Sequence, residues 1–208
     1  MSFTTGAYFK NDIAIPNITA DGGATYSADI ISAIGKYESE IRIDLLGYEL
    51  NKALEADLTA GVPQTQRFKD LVNGAEFTHP DTEQLLKWIG FVNTEKESMI
   101  AYYVYYNYVY YNNIHFSGVG SVSPLAENAE RTSPFDKLQL SWERFQKLYA
   151  GFDYCTNERY FSENGIKGAD LAGTFNTLPS AYNFLYANKE DYPEWVFTVK
   201  YDKDIFDL

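Results

Sequence analysis

From Ser27 onward, Ile30, Ile34, Tyr37, Ile41 and Leu45 recur at spacings of four, three, four and four. That period puts them on one face of a helix, with Ser27 as a candidate N-cap. Gly47 interrupts the pattern, Leu50, Leu54 and Leu58 resume it, and Gly61-Val62-Pro63 stops it. A helical stretch over about 27–59, bent or broken near Gly47, follows from this spacing. Phe68, Leu71 and Val72 predict a short helical piece ending at the Asn73-Gly74 turn signal. Residues 75–92 hold Phe77, Leu85, Leu86, Trp88, Ile89 and Phe91 around His79-Pro80-Asp81, which reads as a loose hairpin.

The next run is the most unusual. Residues 101–113, AYYVYYNYVYYNN, carry seven tyrosines in thirteen positions. Propensity alone favours a strand. Length favours a helix, because residues 95–112 contain no turn signal and are too long for an ordinary strand. Thr94-Glu95-Lys96-Glu97 has the spacing of a capping box, in which Thr94 and Glu97 satisfy each other's backbone N–H groups. The predicted helix is apolar almost all round, with Asn107 as its main polar break, so it should be buried on most sides.

Residues 114–131 are rich in Gly and Ser and suit an extended loop or a short hairpin. Ser133-Pro134-Phe135-Asp136 then starts another helix, with Ser as cap, Pro at the first position and an acid in the first turn. Its stripe is Leu138, Trp142, Phe145, Leu148, Tyr149 and Phe152, and it is expected to run to about Asn157. Residues 163–176 read as loop. Thr177-Leu178-Pro179-Ser180 opens a short helix over AYNFLYANK, and DYPEWVFTVKYDKDIFDL ends in extended pieces. Residues 1–23 look like an arm: Ile13, Ile15 and Ile18 alternate, Pro16 breaks the run, and Asp21-Gly22-Gly23 is loop chemistry. The expected fold is mainly α, a bundle of about four helices with small β-hairpin elements and extended N- and C-terminal arms.

Composition narrows the function classes. With 208 residues, 45% apolar and 17% aromatic, the chain can fill one medium core. Its formal charge is −12, and its 17 basic residues are scattered among 29 acids. No clustered Lys and Arg offers a grip on phosphates, which argues against direct nucleic-acid binding and adhesion to anionic membranes. The start, MSFTTGAYFKND, lacks a basic n-region and an apolar h-region, and no run of roughly 18 apolar residues spans a bilayer. One cysteine, Cys155, excludes an internal disulfide, and the chain reads as soluble and made in a reducing cytoplasm.

Candidate chemistry is sparse. Gly118-Val119-Gly120 lacks the third glycine and the lysine of a phosphate loop and reads as a loop. Cys155, between Tyr154 and Thr156 and far from a helix N-terminus, reads as an inert thiol. His79 and His115 have no helical i, i+4 partner, and His79 with Asp81 lacks metal-ligand spacing. Glu38 with Glu40, and Asp81 with Glu83, read as ordinary solvated acids. No catalytic, cofactor or metal residue is assigned. The tyrosines remain: an inward face should be core, and rings around the whole helix circumference should also meet another subunit. Tyr102, Tyr105, Tyr106, Tyr110 and Phe116 are the candidate subunit-interface residues.

The order of the pieces is informative as well. YFKNDIAI, ESEIRIDLLGYELNKAL, RFKDLVNGAEF, KWIGFVNTEKESMIAYYVYYNYV, GVGSVSPLAENAER, SPFDKLQLSWERFQKLY and LPSAYNFLYANKEDYPEW follow one another over about residues 8–195. This order resembles the head–tail connector (adaptor, or head-completion) proteins of tailed bacteriophages. The motifs that carry the likeness, LLGYEL, WIGF, NGAEF and ANKEDYPEW, are hydrophobic and turn patterns. The expected division is an arm over 1–23, a helical connector domain over 24–195 and an acidic tail over 196–208, the last not fixed by the resemblance. The resemblance implies a virion structural protein without enzymatic activity or cofactor, in a ring of twelve copies at the head–tail junction. Its partners would be itself, the portal protein and a downstream tail protein, with DNA passing through unbound. Competing readings are a tail terminator or stopper-type protein, a small carboxylate hydrolase, and a monomeric binding module whose tyrosines face a peptide or glycan.

Overall fold

The computed structural model describes residues 2–15, 28–112, 115–117, 120–122, 135–151 and 179–198, of which 115–117 and 120–122 are described by their backbone. The fold is mainly helical with small antiparallel strand pairs. Helix α1 (Ala28–Leu46) and helix α2 (Tyr48–Asp57) divide the first predicted stretch at Gly47, whose φ of 77° lies where a side chain is strained. Ile30, Ile34, Tyr37, Ile41 and Leu45 are all buried on one face of α1, as their spacing requires. The two-residue strands β1 (Leu58–Thr59) and β2 (Val62–Pro63) pair across the Gly61 turn.

Helix α3 (Gln66–Asn73) buries Phe68, Leu71 and Val72 and ends at Gly74. Strands β3 (Ala75–Thr78) and β4 (Leu85–Trp88) then form the hairpin, in register from Ala75 opposite Trp88 to Thr78 opposite Leu85. Phe77, Leu86 and Trp88 point inward while Glu76, Leu85 and Lys87 are exposed, the alternation of a sheet with one wet face. Trp88 Nε1–H donates to Leu71 O at 2.9 Å, so the hairpin is fastened to α3.

Helix α4 (Met99–Asn112) is the tyrosine helix and lies between α1 and helix α5 (Phe135–Tyr149). It begins later than the capping-box reading expects. The box does not form: Thr94 Oγ1–H donates to Glu95, and Glu97 N–H donates instead to Asn93 Oδ1 at 3.1 Å. Asn93 Nδ2–H closes the same turn on Glu97 O, with Lys96 at φ 54° between them. An Asx-type turn therefore wins over the helical alternative for residues 93–97. The helix starts where Ser98 Oγ accepts from Ile100 N–H and Ser98 O from Tyr102 N–H.

Strands β5 (His115–Ser117) and β6 (Gly120–Val122) pair antiparallel, as the hairpin alternative for this stretch predicts. The Ser133-Pro134 start lies outside the described residues. Helix α5 buries Leu138, Trp142, Phe145 and Tyr149 and stops at Tyr149, short of the expected Asn157. Gly151 follows at φ 77°, the left-handed geometry that ends helices. Helix α6 (Ala181–Ala187) is capped as its sequence predicts, with Ser180 Oγ accepting from Asn183 N–H at 3.1 Å.

The two flanking segments are not free arms where they are described. Residues 2–15 lie against the bundle through two 3-10 turns, and Phe3, Tyr8, Phe9 and Ile13 are buried. The segment after α6 closes the far end of α1. A helix leaves its last four carbonyls without partners, and all four in α1 are supplied. Gly47 N–H donates to Ile43 O, Thr198 N–H to Asp44 O, Trp195 Nε1–H to Leu45 O and Val196 N–H to Leu46 O. Residues 195–198 thus act as a C-terminal cap, which requires that nothing larger than a hydrogen project from Gly47. A Cβ there would lie 3.0 Å from that of Val196.

Candidate interaction surface

Helix α4 positions its rings by distance along the axis more than by angle around it. Every residue from Met99 to Asn107 is buried, while Tyr108, Val109 and Tyr110 are half-buried and Tyr111 is 53% exposed. The first two turns run between α1 and α5; the last leaves the sandwich. Tyr103 packs edge-on to Tyr37 at 6.3 Å and tilted on Phe145 at 5.1 Å, and Tyr106 meets Trp142 at 4.8 Å. Such pairs add to the area each ring buries.

This distribution corrects three of the candidate interface residues. Tyr102, Tyr105 and Tyr106 are 7%, 4% and 0% exposed, so they belong to the chain's own core and offer little to a neighbour. Expecting surface from rings on every side assumed one covering partner; α1, α5 and the segment 2–15 cover several sides at once. Tyr110 stays half-buried, stacked on Tyr106 at 6.0 Å and edge-on to Tyr111 at 5.2 Å. The Phe116 side chain lies outside the described residues.

The buried hydroxyls are held as neutral donors. Tyr103 donates to Glu40 Oε1 at 2.5 Å and Tyr102 to Glu97 Oε1 at 3.3 Å. Burial, followed by the Glu97 charge, pushes the Tyr102 phenol up to about 12. Burial and then the Glu40 bond raise Tyr103 as well. Neither ring can act as a phenolate base near neutrality.

The sequence reading missed the groove beside Tyr111. Asp29, Ser32, Lys36 and Tyr37 from α1 face Tyr108 and Tyr111 from α4 across it. Ile31, 50% exposed, sits at the same end of α1. A second group of exposed apolar side chains, Ile43, Tyr48 and Val196, surrounds the other end of that helix. The signal for both was positional: each lies where a helix runs out, a feature that facial periodicity does not report.

Other predicted chemistry is placed as follows. His79 is buried at the hairpin turn, its Nδ1 accepting from Asp81 N–H at 3.3 Å, while Asp81 and Glu83 are exposed. Among the described residues no cluster of three or more His, Cys, Asp or Glu could hold a metal ion. Cys155, Gly118 and Val119 lie outside them. Among the described residues, no helix is long and apolar enough to cross a membrane. Glu38 is not the solvated acid that its sequence context suggests. It is 2% exposed and accepts from Phe3 N–H at 2.7 Å and Thr4 N–H at 3.0 Å.

Residues 44–156 and 177–205 match the model of DUF6712, a family of unknown function. The chain belongs to this family. The DUF6712 match spans α2 to α6, including the Gly47 break, the β3–β4 hairpin and the tyrosine helix. It leaves out the segment 2–15 and most of α1, and with them the α1 side of the Tyr111 groove. No curated protein matches the chain, and no solved structure does.

Proposed function

We propose that the chain is a virion structural protein of a tailed bacteriophage, forming a ring of twelve copies between the portal and the tail. In this reading it joins head to tail, binds the portal on one side and a downstream tail protein on the other, and has no enzymatic role. The order of motifs that resembles the head–tail connectors motivates it. The single structural observation that supports it is the pair of exposed apolar groups at opposite ends of α1. A closed ring needs two different surfaces per subunit that fit one another head to tail. Tyr108 with Tyr111 beside the start of α1, and Ile43 with Tyr48 and Val196 at its end, would serve as two such surfaces, with Asp29 next to the first and Ile43 in the second about 21 Å apart at the helical rise. A formal charge of −12 suits a lumen through which DNA slides without adhering.

The test is native mass spectrometry and negative-stain imaging of the purified chain, with and without a portal. A ring in either condition is the expected result; a monomer at high concentration that also ignores the portal overturns the reading. Single variants Tyr111→Ser and Tyr48→Ser should each block the ring. Mixed together they should pair through the one junction left intact, and no further.

A further inference from the structure

The hold on residues 2–15 is that of a peptide-binding site. Glu38 accepts the backbone N–H groups of Phe3 and Thr4 and the Ser2 hydroxyl, while Arg42 stacks over the Phe3 ring at 5.4 Å. Phe3 also meets Phe91 at 5.8 Å. Tyr8 reaches the backbone around Phe91 and Asn93 through its hydroxyl and lies under the Lys96 ammonium at 5.1 Å. At the far end Arg144 pairs with Asp12 at 3.3 Å and with Glu97 at 3.7 Å, so one guanidinium ties the strap to the loop before α4. The strap itself contains only 3-10 turns and no strand or helix shared with the rest of its chain.

We propose that this groove also takes the residue 2–15 strap of a second copy of the chain, so that neighbouring subunits exchange straps. The occupant is set by what already fills the groove: a second copy carries the same Ser-Phe-Thr backbone for Glu38 and the same Asp12 for Arg144. Twelve residues, 16–27, separate Ile15 from Ala28. Fully extended they span about 40 Å, against a radius of gyration of about 17 Å for a domain of this size. A strap can therefore reach the groove of any touching neighbour. Exchange replaces each contact by its identical counterpart, so its free-energy difference comes from concentration. The intrachain strap competes at an effective concentration on the order of millimolar, which subunits held side by side can match. The proposal rests on the ring reading for those neighbours, and a concentrated solution of the full chain supplies them as well.

The experiment mixes equal amounts of unlabelled and 15N-labelled full-length chain at about millimolar concentration, the range where exchange competes. A carbodiimide then joins Lys10 or Asp12 to Glu95, Lys96 or Glu97, which line the same cavity. At that concentration about half of the grooves hold another copy's strap, and half of those straps carry the other isotope, so about a quarter of the strap-to-loop crosslinked peptides carry one label of each kind. Strap crosslinks of pure isotope beside mixed crosslinks elsewhere sink the exchange and leave the ring standing. Pure isotope at every crosslink sinks the exchange and leaves the ring to its test with the portal. Where the carbodiimide leaves the strap unlinked, D12C chains mixed with R144C chains in a C155S background give the same reading. An interchain disulfide no more abundant than that of D12C with K52C, on α2, overturns the proposal.

Discussion

Gly74 and Gly90 touch backbone to backbone. A Cβ on Gly90 would lie 2.5 Å from Gly74 N, and one on Gly74 would lie 3.0 Å from Gly90 N and 2.4 Å from Trp88 O. Both glycines also have positive φ, 89° and 79°. The contact lets the chain leave α3, run the β3–β4 hairpin and return beside its starting point, where Val92 N–H donates to Val72 O at 2.8 Å. The NGAEF and WIGF stretches, far apart in sequence, are the two halves of this crossing.

Gly74→Ala and Gly90→Ala should therefore each destabilise the fold strongly, because left-handed strain adds to an overlap with backbone that cannot rotate away. The expected loss is about 2–4 kcal/mol each. Urea unfolding with tryptophan fluorescence measures it, since Trp88 sits at the crossing. A loss below about 0.5 kcal/mol, the scale of a neutral surface change, would show that the loop relaxes freely.

Glu38 sits among Arg42 and the backbone of Phe3 and Thr4, all buried. Glu38→Ala leaves two backbone N–H groups without acceptors. Arg42 keeps its 2.6 Å pair with Glu55 but loses its buried neighbour. Removing one member of such a cluster costs about 3–5 kcal/mol. Amide exchange at Phe3 and Thr4 should rise well ahead of exchange in α4, because the strap detaches before the bundle opens. Uniform acceleration across both would place Glu38 in the global core instead.

The helices were legible where one face of a helix meets one core: Ile30 to Leu45 and Leu138 to Tyr149 are buried as their spacing requires. Legibility failed where a polar group does local work. Thr94-Glu95-Lys96-Glu97 has capping-box spacing, yet Asn93, one residue earlier, captures Glu97 by both its backbone groups. Glu38 shares the buried stripe with Ile34, Ile41 and Leu45, four residues after Ile34, a spacing that the reading of it as a solvated acid passed over. What it meets there, Phe3 and Thr4, comes from 34 and 35 residues away, and periodicity carries no information at that range. For the same reason the tyrosine helix could be recognised but its core and surface rings could not be separated.

Those rings now separate by substitution. Tyr106→Ala removes a fully buried ring packed on Trp142 and Tyr110 and should cost about 3–5 kcal/mol. Tyr111→Ser changes a side chain that is half in water and should stay within about 0.5 kcal/mol of the parent. Assembly is expected to respond in the opposite order, with Tyr111→Ser abolishing rings in a chain that melts normally. Equal melting losses for the two variants would mean that the end of α4 is core after all.

The raised phenol of Tyr102 gives the fold an alkaline limit. Its pKa is pushed up to about 12 in the native state, against 10.0 for a freely exposed tyrosine. Above pH 10 the unfolded chain therefore releases this proton before the native one does. The unfolded state then binds fewer protons, so unfolding free energy falls with pH. The contribution is complete below pH 10 and is lost as pH climbs toward 12, a difference of about 2–3 kcal/mol. Burial also raises Tyr103, Tyr149 and Tyr192, so each adds to the decline from pH 10 upward. Tyr102→Phe keeps the ring in place and removes the proton. Its stability should start lower by about 1 kcal/mol, for the lost bond to Glu97, and then decline less steeply between pH 10 and 12. Parallel curves for parent and variant, from urea unfolding at intervals across that range, would mean that the hydroxyl titrates as freely in the fold as out of it.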